Sequence, residues 1–127
     1  MSIIVPNSIK SALEFFKPKL MKAVSRSNEG WDWDMLSAKV DSGELGFFHN
    51  NDSCAIMQMC TCPAGVYLHC LFAAGTQDGL YSLYEDVAKF AKNNGCYKMT
   101  TLARKGFTRR LPKAGWKQPY AFFERAL

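Results

Sequence analysis

The stretch VYLHCLFAAGTQDGLYSLYEDVAKFAKNNGCYKMTTL, Val66 to Leu102, constrains the fold more than any other part of the chain. Val66–Ala74 is apolar along most of its length, which predicts a strand buried on both faces. Over Asp78–Asn94 the residues Leu80, Leu83, Tyr84, Val87, Phe90 and Ala91 recur at helical spacing. Gly95 ends that helix, and Tyr97–Leu102 returns to strand character. A strand, a helix and a strand in this order place the two strands parallel in one sheet. The fold class is therefore α/β.

The rest of the chain supplies further elements around this unit. Ser2–Val5 reads as a short first strand. A helix follows Asn7, with Ile9, Leu13, Phe16, Leu20, Met21 and Val24 on one face. Pro18 lies inside it and predicts a kink or a restart, because proline cannot donate to the helical ladder. Trp31–Asp41 reads as a second short helix with Asp32 as N-cap and Gly43 just past its end. Glu44–His49 and Ser53–Cys62 flank the turn cluster NND and predict a hairpin. Lys105–Ala114 reads as a short helix and Pro119–Leu127 as a last strand. The expected order is β-α-α-β-β-β-α-β-α-β, a mixed sheet of about six strands with helices packed on both faces. All 127 residues fit one domain.

No stretch reaches the ~18 apolar residues that a membrane span needs. The N-terminus shows no basic head followed by an apolar run, so no secretory signal is visible and a cytoplasmic setting is expected. The five cysteines are an odd number, which argues against a disulfide framework. Cys60 and Cys62 form a C-x-C pair, and His69 with Cys70 could complete a zinc set on paper. Adjacent residues of a strand point to opposite faces, however, so His69 and Cys70 would not converge, and no metal is expected. The same alternation argues against a Cys70–His69 nucleophile and base. Cys54 and His49 flank the hairpin turn and could approach each other across it.

The net charge of +5 is unevenly spread. Residues 28–52 carry Glu29, Asp32, Asp34, Asp41, Glu44 and Asp52 against Lys39. Residues 98–127 carry Lys98, Arg104, Lys105, Arg109, Arg110, Lys113, Lys117 and Arg125 against Glu124. Such polarity fits an anionic ligand near the C-terminal third or contact between copies of the chain. Lys105, Arg109 and Lys113 share one helix face if that segment is helical, with Arg110 beside it. Solvation, docking to an acidic protein surface, and contact with nucleic acid or CoA phosphates are three readings of that face. Nucleic acid is the less favoured partner, because no exposed stacking aromatics accompany the charge. Trp31 is a candidate interface anchor, with partial burial of both Trp31 and Trp33 as the alternative.

The C-terminal half resembles the GNAT-type N-acetyltransferases, and most closely the short GNAT-like proteins of phage and prophage genomes. The resemblance is carried by VYLHCLFAAG, by DGLYSLYEDVAKFAKNNGCYKM and by GFTRRLPKAGWKQPYAFFERAL. Within these lie Gly95-Cys96, Arg104-Lys105-Gly106-Phe107, Leu111 with Gly115-Trp116, and Glu124-Arg125-Ala126-Leu127. It covers residues 28–127, and the N-terminal helix more loosely. It implies a mixed sheet, a bacterial host cytoplasm or virion as the setting, and acetyl-CoA as the cofactor of active members.

Active members carry a Q/R-x-x-G-x-G/A loop whose backbone N–H groups hold the cofactor pyrophosphate. No register of Ala74, Gly75, Thr76, Gln77, Asp78 and Gly79 fits that pattern. Asp78, read as the N-cap of the helix, would take the free N–H groups itself and repel an anion. The tyrosine that often protonates the departing thiolate corresponds to Leu111 here. His69 is the one base candidate on the central strand, and a core or interface role suits it better. The leading expectation is a non-catalytic structural or interaction module with no cofactor. Its partner would be another phage protein or a second copy, in virion assembly. A divergent acetyltransferase using Gly75–Gly79 with Arg104, Lys105 or Arg109 on the CoA phosphates is the rival. A phage inhibitor of a host protein is a third option. The rival expects the central strands to splay apart, whereas a module would fill that gap with Leu71, Phe72 and Phe107.

Overall fold

The computed structural model describes residues 9–103 and 109–127. Its elements are α1 (Ile9–Ser27), α2 (Trp33–Asp41), β1 (Gly46–His49), β2 (Ser53–Cys62), β3 (Gly65–Gly75), α3 (Gln77–Asn93) and β4 (Cys96–Thr101). A single 3-10 turn at Pro112–Ala114 follows. The sheet runs in the order β1-β2-β3-β4. The β1–β2 and β2–β3 pairs are antiparallel and the β3–β4 pair is parallel, as the strand–helix–strand unit requires.

Among the described residues four strands stand where the whole chain was expected to give about six. Ser2–Val5 lies outside the described residues. Pro119–Leu127 is described and is not a strand: it pairs with none of the described strands, and its side chains are exposed. The expected helix over Lys105–Ala114 is likewise not formed where it is described. Arg109 and Arg110 are in a turn, and Lys105 lies outside the described residues. α1 runs through Pro18 without a restart. The carbonyl deprived of its donor belongs to Glu14, and Glu14 and Pro18 are both exposed, so water can replace the lost bond.

Helices cover both faces of the sheet. On one face α1 and α2 pack Leu13, Phe16, Leu20, Val24, Leu36 and Val40 against Cys54, Ile56 and Phe72. On the other, α3 packs Leu80, Leu83, Tyr84, Val87 and Ala91 against Ala55, Met57, Leu68 and Cys70. Phe90, expected inside, is 41% exposed and rests edge-on against Phe48 at 5.0 Å. β3 is less enclosed than its composition predicts. Leu68, Cys70 and Phe72 are buried, while Tyr67, His69 and Leu71 are half-buried.

Two register shifts break the alternation of faces. Ile56 pairs with Phe72 but Met57 with Cys70, so Leu71 is an extra residue in β3. Leu71 and Phe72 consequently both belong to the α1 side. On the other edge, Val66 pairs with Cys96 but Leu68 with Met99, so Tyr97 and Lys98 together oppose Tyr67.

One buried polar side chain joins the hairpin to α3. Asn50, 3% exposed, accepts from the Ser53 amide at 2.9 Å, the Ser53 hydroxyl at 2.6 Å and the Asp52 amide at 3.2 Å. Its own amide donates to the Gly79 carbonyl at 2.7 Å. Removing a partner from a buried group costs about 1–3 kcal/mol for each group left unmatched. Asn50→Ala is therefore expected to lower unfolding stability by about 3 kcal/mol, read as a reduced urea midpoint at unchanged m-value. A loss under about 1 kcal/mol would show that the turn does not depend on this side chain.

Candidate functional site

The cofactor loop of the resemblance falls between β3 and α3. β3 ends at Gly75 with φ +125°, a conformation that side chains rarely adopt. Thr76 is the N-cap of α3, and its Oγ1 accepts from the Gly79 amide at 3.1 Å. This corrects the assignment of the cap to Asp78. The helix starts one residue earlier than expected, so Asp78 sits exposed in its first turn. The Thr76 amide donates to the Asp52 carbonyl at 3.2 Å, which fastens the loop to the hairpin turn.

The same turn explains both glycines. A Cβ on Gly75 would fall inside contact distance of the Asp52 carbonyl and 2.5 Å from Ser53 Cα. A Cβ on Gly79 would meet the Asp52 carboxylate and come 2.7 Å from Thr76 Oγ1. What approaches these glycines closely is Asp52–Ser53 of the chain itself. Ala74 packs on the α1 side, and Gln77 is exposed. Two carboxylates, Asp52 and Asp78, thus stand at the helix N-terminus, where a pyrophosphate would need positive potential.

The expected cations are distributed differently from the expectation. Arg104 and Lys105 lie outside the described residues, and Arg109 is exposed in a turn. Arg110 pairs with Asp78 at 2.6 Å and lies over the Tyr81 ring at 4.6 Å. With Lys113 it borders a cavity of about 470 Å³ whose other walls include Asp78, Tyr81, Ser82 and Glu85. Among the described lining residues two cations face two carboxylates. Trp31 is half-buried and packs edge-on against Phe72 at 6.0 Å, and Trp33 is also half-buried. The partial-burial alternative therefore describes the pair, and Trp31 is not a freely presented anchor.

The α1 face of the sheet carries several further titratable groups. His69 Nδ1 lies 2.7 Å from Thr100 Oγ1. Burial holds its pKa below the ordinary 6.5, against the opposing pull of Glu29, so the ring is neutral at pH 7. Toward the start of β3, Cys62 Sγ lies 3.3 Å from the Tyr97 hydroxyl, and Lys98 Nζ lies over the rings of Tyr67 and Tyr97. The Tyr97 hydrogen bond is the main cause lowering the Cys62 thiol pKa. On the α3 face, Cys70 Sγ and the Tyr84 hydroxyl are 3.7 Å apart, and burial pushes Cys70 up to about 11 and raises Tyr84. His69 and Cys70 do face opposite sides. Cys54 pairs with His49 across the hairpin, but burial pushes its thiol up to about 12, which denies it a nucleophilic role. Among the described residues no three His, Cys, Asp or Glu side chains converge as a metal site.

β4 last pairs at Thr101 with Cys70, while β3 continues to Gly75. The β3 edge from Leu71 to Gly75 is thus unpaired by β4. Leu71 and Phe72, the expected gap-fillers, pack instead on the α1 side, and Phe107 lies outside the described residues.

Solved structures are similar to this chain in overall fold. The chain superposes on a GNAT family acetyltransferase from Staphylococcus aureus with a TM-score of 0.61 and 15% identity, covering 100% of both chains. The fold is GNAT-like. The protein TTHA1254 from Thermus thermophilus aligns with a TM-score of 0.58 and 18% identity over 76% of this chain and 80% of its own. A single-substitution mutant of that protein aligns at 0.52 and 21% identity, over 60% of this chain and 62% of its own, under two thirds of its length. No protein-family model and no curated protein sequence matches the chain.

Asn50 and Asp52, which decide the state of the GNAT-like loop, were missed by the sequence reading. Their one signal was the NND cluster, which marks a turn but not what the turn touches. Gly75→Ala is expected to destabilise by at least about 2 kcal/mol, since it meets backbone and a strained φ. Gly79→Ala is expected to cost far less, because the Asp52 carboxylate can swing aside and alanine favours helix by about 1 kcal/mol. Equal losses in paired denaturation curves would refute this account. His69 gives a pH signature. Its folded pKa is depressed, so between the folded and unfolded values the unfolded chain binds more protons. Its contribution is complete above 6.5 and is lost as pH falls through the folded value. His69→Gln should flatten the slope of stability against pH just below 6.5.

Proposed function

We propose that this chain is a GNAT-like scaffold that works by holding another protein, not by transferring an acyl group. The observation that carries the proposal is the use of Gly75 and Gly79 by the Asp52–Ser53 turn, with Asp52 and Asp78 placing negative charge at the helix N-terminus. Two further features support it. Among the described residues that line the nearby cavity, Arg110 and Lys113 are matched by Asp78 and Glu85. Leu111 occupies the position at which active relatives often carry the proton-donating tyrosine. The likeness to short phage and prophage GNAT-like proteins points to a virion or virion-assembly component in a bacterial host, with a protein as its partner.

An acetyl-CoA-dependent acyltransferase is the second reading, and one specific observation favours it. The β3 edge over Leu71–Gly75, which β4 does not pair among the described residues, is the opening a pantetheine arm would need, and the neutral His69 lies on the same strand. A thermal melt of the intact protein with and without millimolar acetyl-CoA at moderate salt separates the two. Ligand at about 100 times its dissociation constant stabilises a fold by roughly 2.7 kcal/mol, a rise of several degrees. The scaffold reading expects an unchanged midpoint. A rise that persists at moderate salt would overturn it in favour of the acyltransferase.

A further inference from the structure

The fold treats the five free thiols of the chain differently. Cys54 and Cys70 are buried, and burial pushes them up to about 12 and about 11. Cys96 points at the Met59 sulfur, 3.4 Å away. The C-x-C motif supplies the other two, and these form a pair. Cys60 and Cys62 lie two residues apart on β2, so their side chains leave the same face of the strand. Both are half-buried, while Met59 and Thr61 on the opposite face are exposed.

Two tyrosines, one from β3 and one from β4, stand beside the pair. Cys60 faces Tyr67 across the β2–β3 ladder. The charge of Cys60 is the main cause raising the Tyr67 pKa, burial and a hydrogen bond with Cys60 come next, and Cys62 adds to them. One phenol is thus within electrostatic reach of both thiols. The Tyr97 hydroxyl lies 3.3 Å from Cys62 Sγ. Lys98 Nζ stands 5.0 Å from the centre of the Tyr67 ring and 5.3 Å from that of Tyr97.

The two thiols are not equivalent. Around Cys62 the Tyr97 hydroxyl, the backbone amides of Ala64 and Gly65 and the Lys98 ammonium all favour the thiolate, with burial opposing them. Hydrogen-bond donors and a cation raise the fraction of a thiol present as the nucleophile. Cys60 instead donates to the Gln58 carbonyl at 3.8 Å, a contact that needs its proton.

We propose that Cys60 and Cys62 form a thiol–disulfide exchange site for a low-molecular-weight disulfide, with Cys62 attacking and Cys60 resolving. The Cys62 thiolate attacks one sulfur of the disulfide, a mixed disulfide forms, and one thiolate leaves and takes up the proton that Cys62 gave up. Cys60 then attacks the Cys62 sulfur, an intrachain disulfide forms, and the second thiol leaves with the Cys60 proton. Two electrons pass from the protein to the small disulfide, which is reduced to two thiols. Two residues of extended strand span about 6.6 Å, near the upper limit that a disulfide bridges. The Cys60–Cys62 bond is therefore strained and easily reduced again. Cys62 is the last residue of β2, where the strand can bend to close it. It pairs with Gly65 at the start of β3, the far end from the Gly75 loop, so the site does not depend on whether that loop binds a cofactor.

The test is exposure of the intact protein to glutathione disulfide, with the modified cysteines identified by peptide mass spectrometry. Cys62 should carry the first mixed disulfide. Cys60→Ser should accumulate that adduct, while the wild-type chain passes on to a Cys60–Cys62 disulfide. First modification at Cys60 or Cys96 would overturn the inference, and so would equal accumulation of the adduct in both chains. The order of modification in the wild-type chain stands independently of how any variant folds, and untouched Cys54 and Cys70 report that the cores of a variant are intact. Tyr97→Phe should slow the Cys62 reaction several-fold at neutral pH and move the midpoint of its rate against pH upward, because less of the thiol is ionised. A merely structural tyrosine would leave that midpoint in place, and an unmoved midpoint would equally overturn the inference.

Discussion

The amide of Asn50 ties together parts of the chain that the sequence keeps far apart. It accepts from the two residues that close the β1–β2 hairpin and donates to the first turn of α3. A buried amide bonded on both sides fixes an arrangement more sharply than apolar contact does, because each unmade bond is expensive inside the protein. Once Asn50 is placed, the Asp52 carbonyl stands over the β3–α3 junction, and the Thr76 amide closes the contact. The conformation of that junction then follows. Gly75 must turn where backbone crowds it, and Gly79 must leave room for a carboxylate. At this junction the space beside both glycines is taken up by the chain's own Asp52–Ser53 turn.

The two bulges govern which chemistry each face of the sheet displays. Without the extra residue at Leu71, Phe72 would follow Leu68 and Cys70 onto the α3 side, and the α1 core would lose one of its largest side chains. Without the bulge opposite Tyr67, Tyr97 and Lys98 would point to opposite faces, and Cys62 would lack the group that polarises its thiol. A bulge thus sorts side chains between layers at the expense of one ladder position. Polar, titratable groups collect on the part of the α1 face beyond the helix contacts, while each core buries one inert thiol, Cys54 on the α1 side and Cys70 under α3.

The backbone plan was legible where one local rule sufficed. The parallel pair came from an apolar run, a helical repeat and a second run, and the hairpin from the polar cluster between two alternating stretches. The Asp32 cap of α2 is a contact over three residues, and it was read correctly. What was misread depended on partners distant in the chain. Thr76 and Asp78 are both good caps on composition, and only the pull of Asp52 on the Thr76 amide selects between them. Leu71 and Phe72 looked interchangeable with any buried pair until the bulge turned both the same way. The aromatic alternation of Pro119–Leu127 states a preference for strand, but a strand forms only where an edge receives it. The candidate site was the least legible part, because its state is set by Asn50 and Asp52 from another hairpin and not by the loop's own residues.

The mooring of the C-terminal segment at Trp116 has a consequence for timing. Beyond Trp116 on Tyr84 and the exposed pair of Arg110 with Asp78, little of that segment is built into either core. Exposed ion pairs add little stability, so the free energy of lifting this segment away is a small part of the whole. The two helical layers can therefore finish folding while the last stretch of chain is still free. Folding of the two cores is thus separable from the placement of the last stretch.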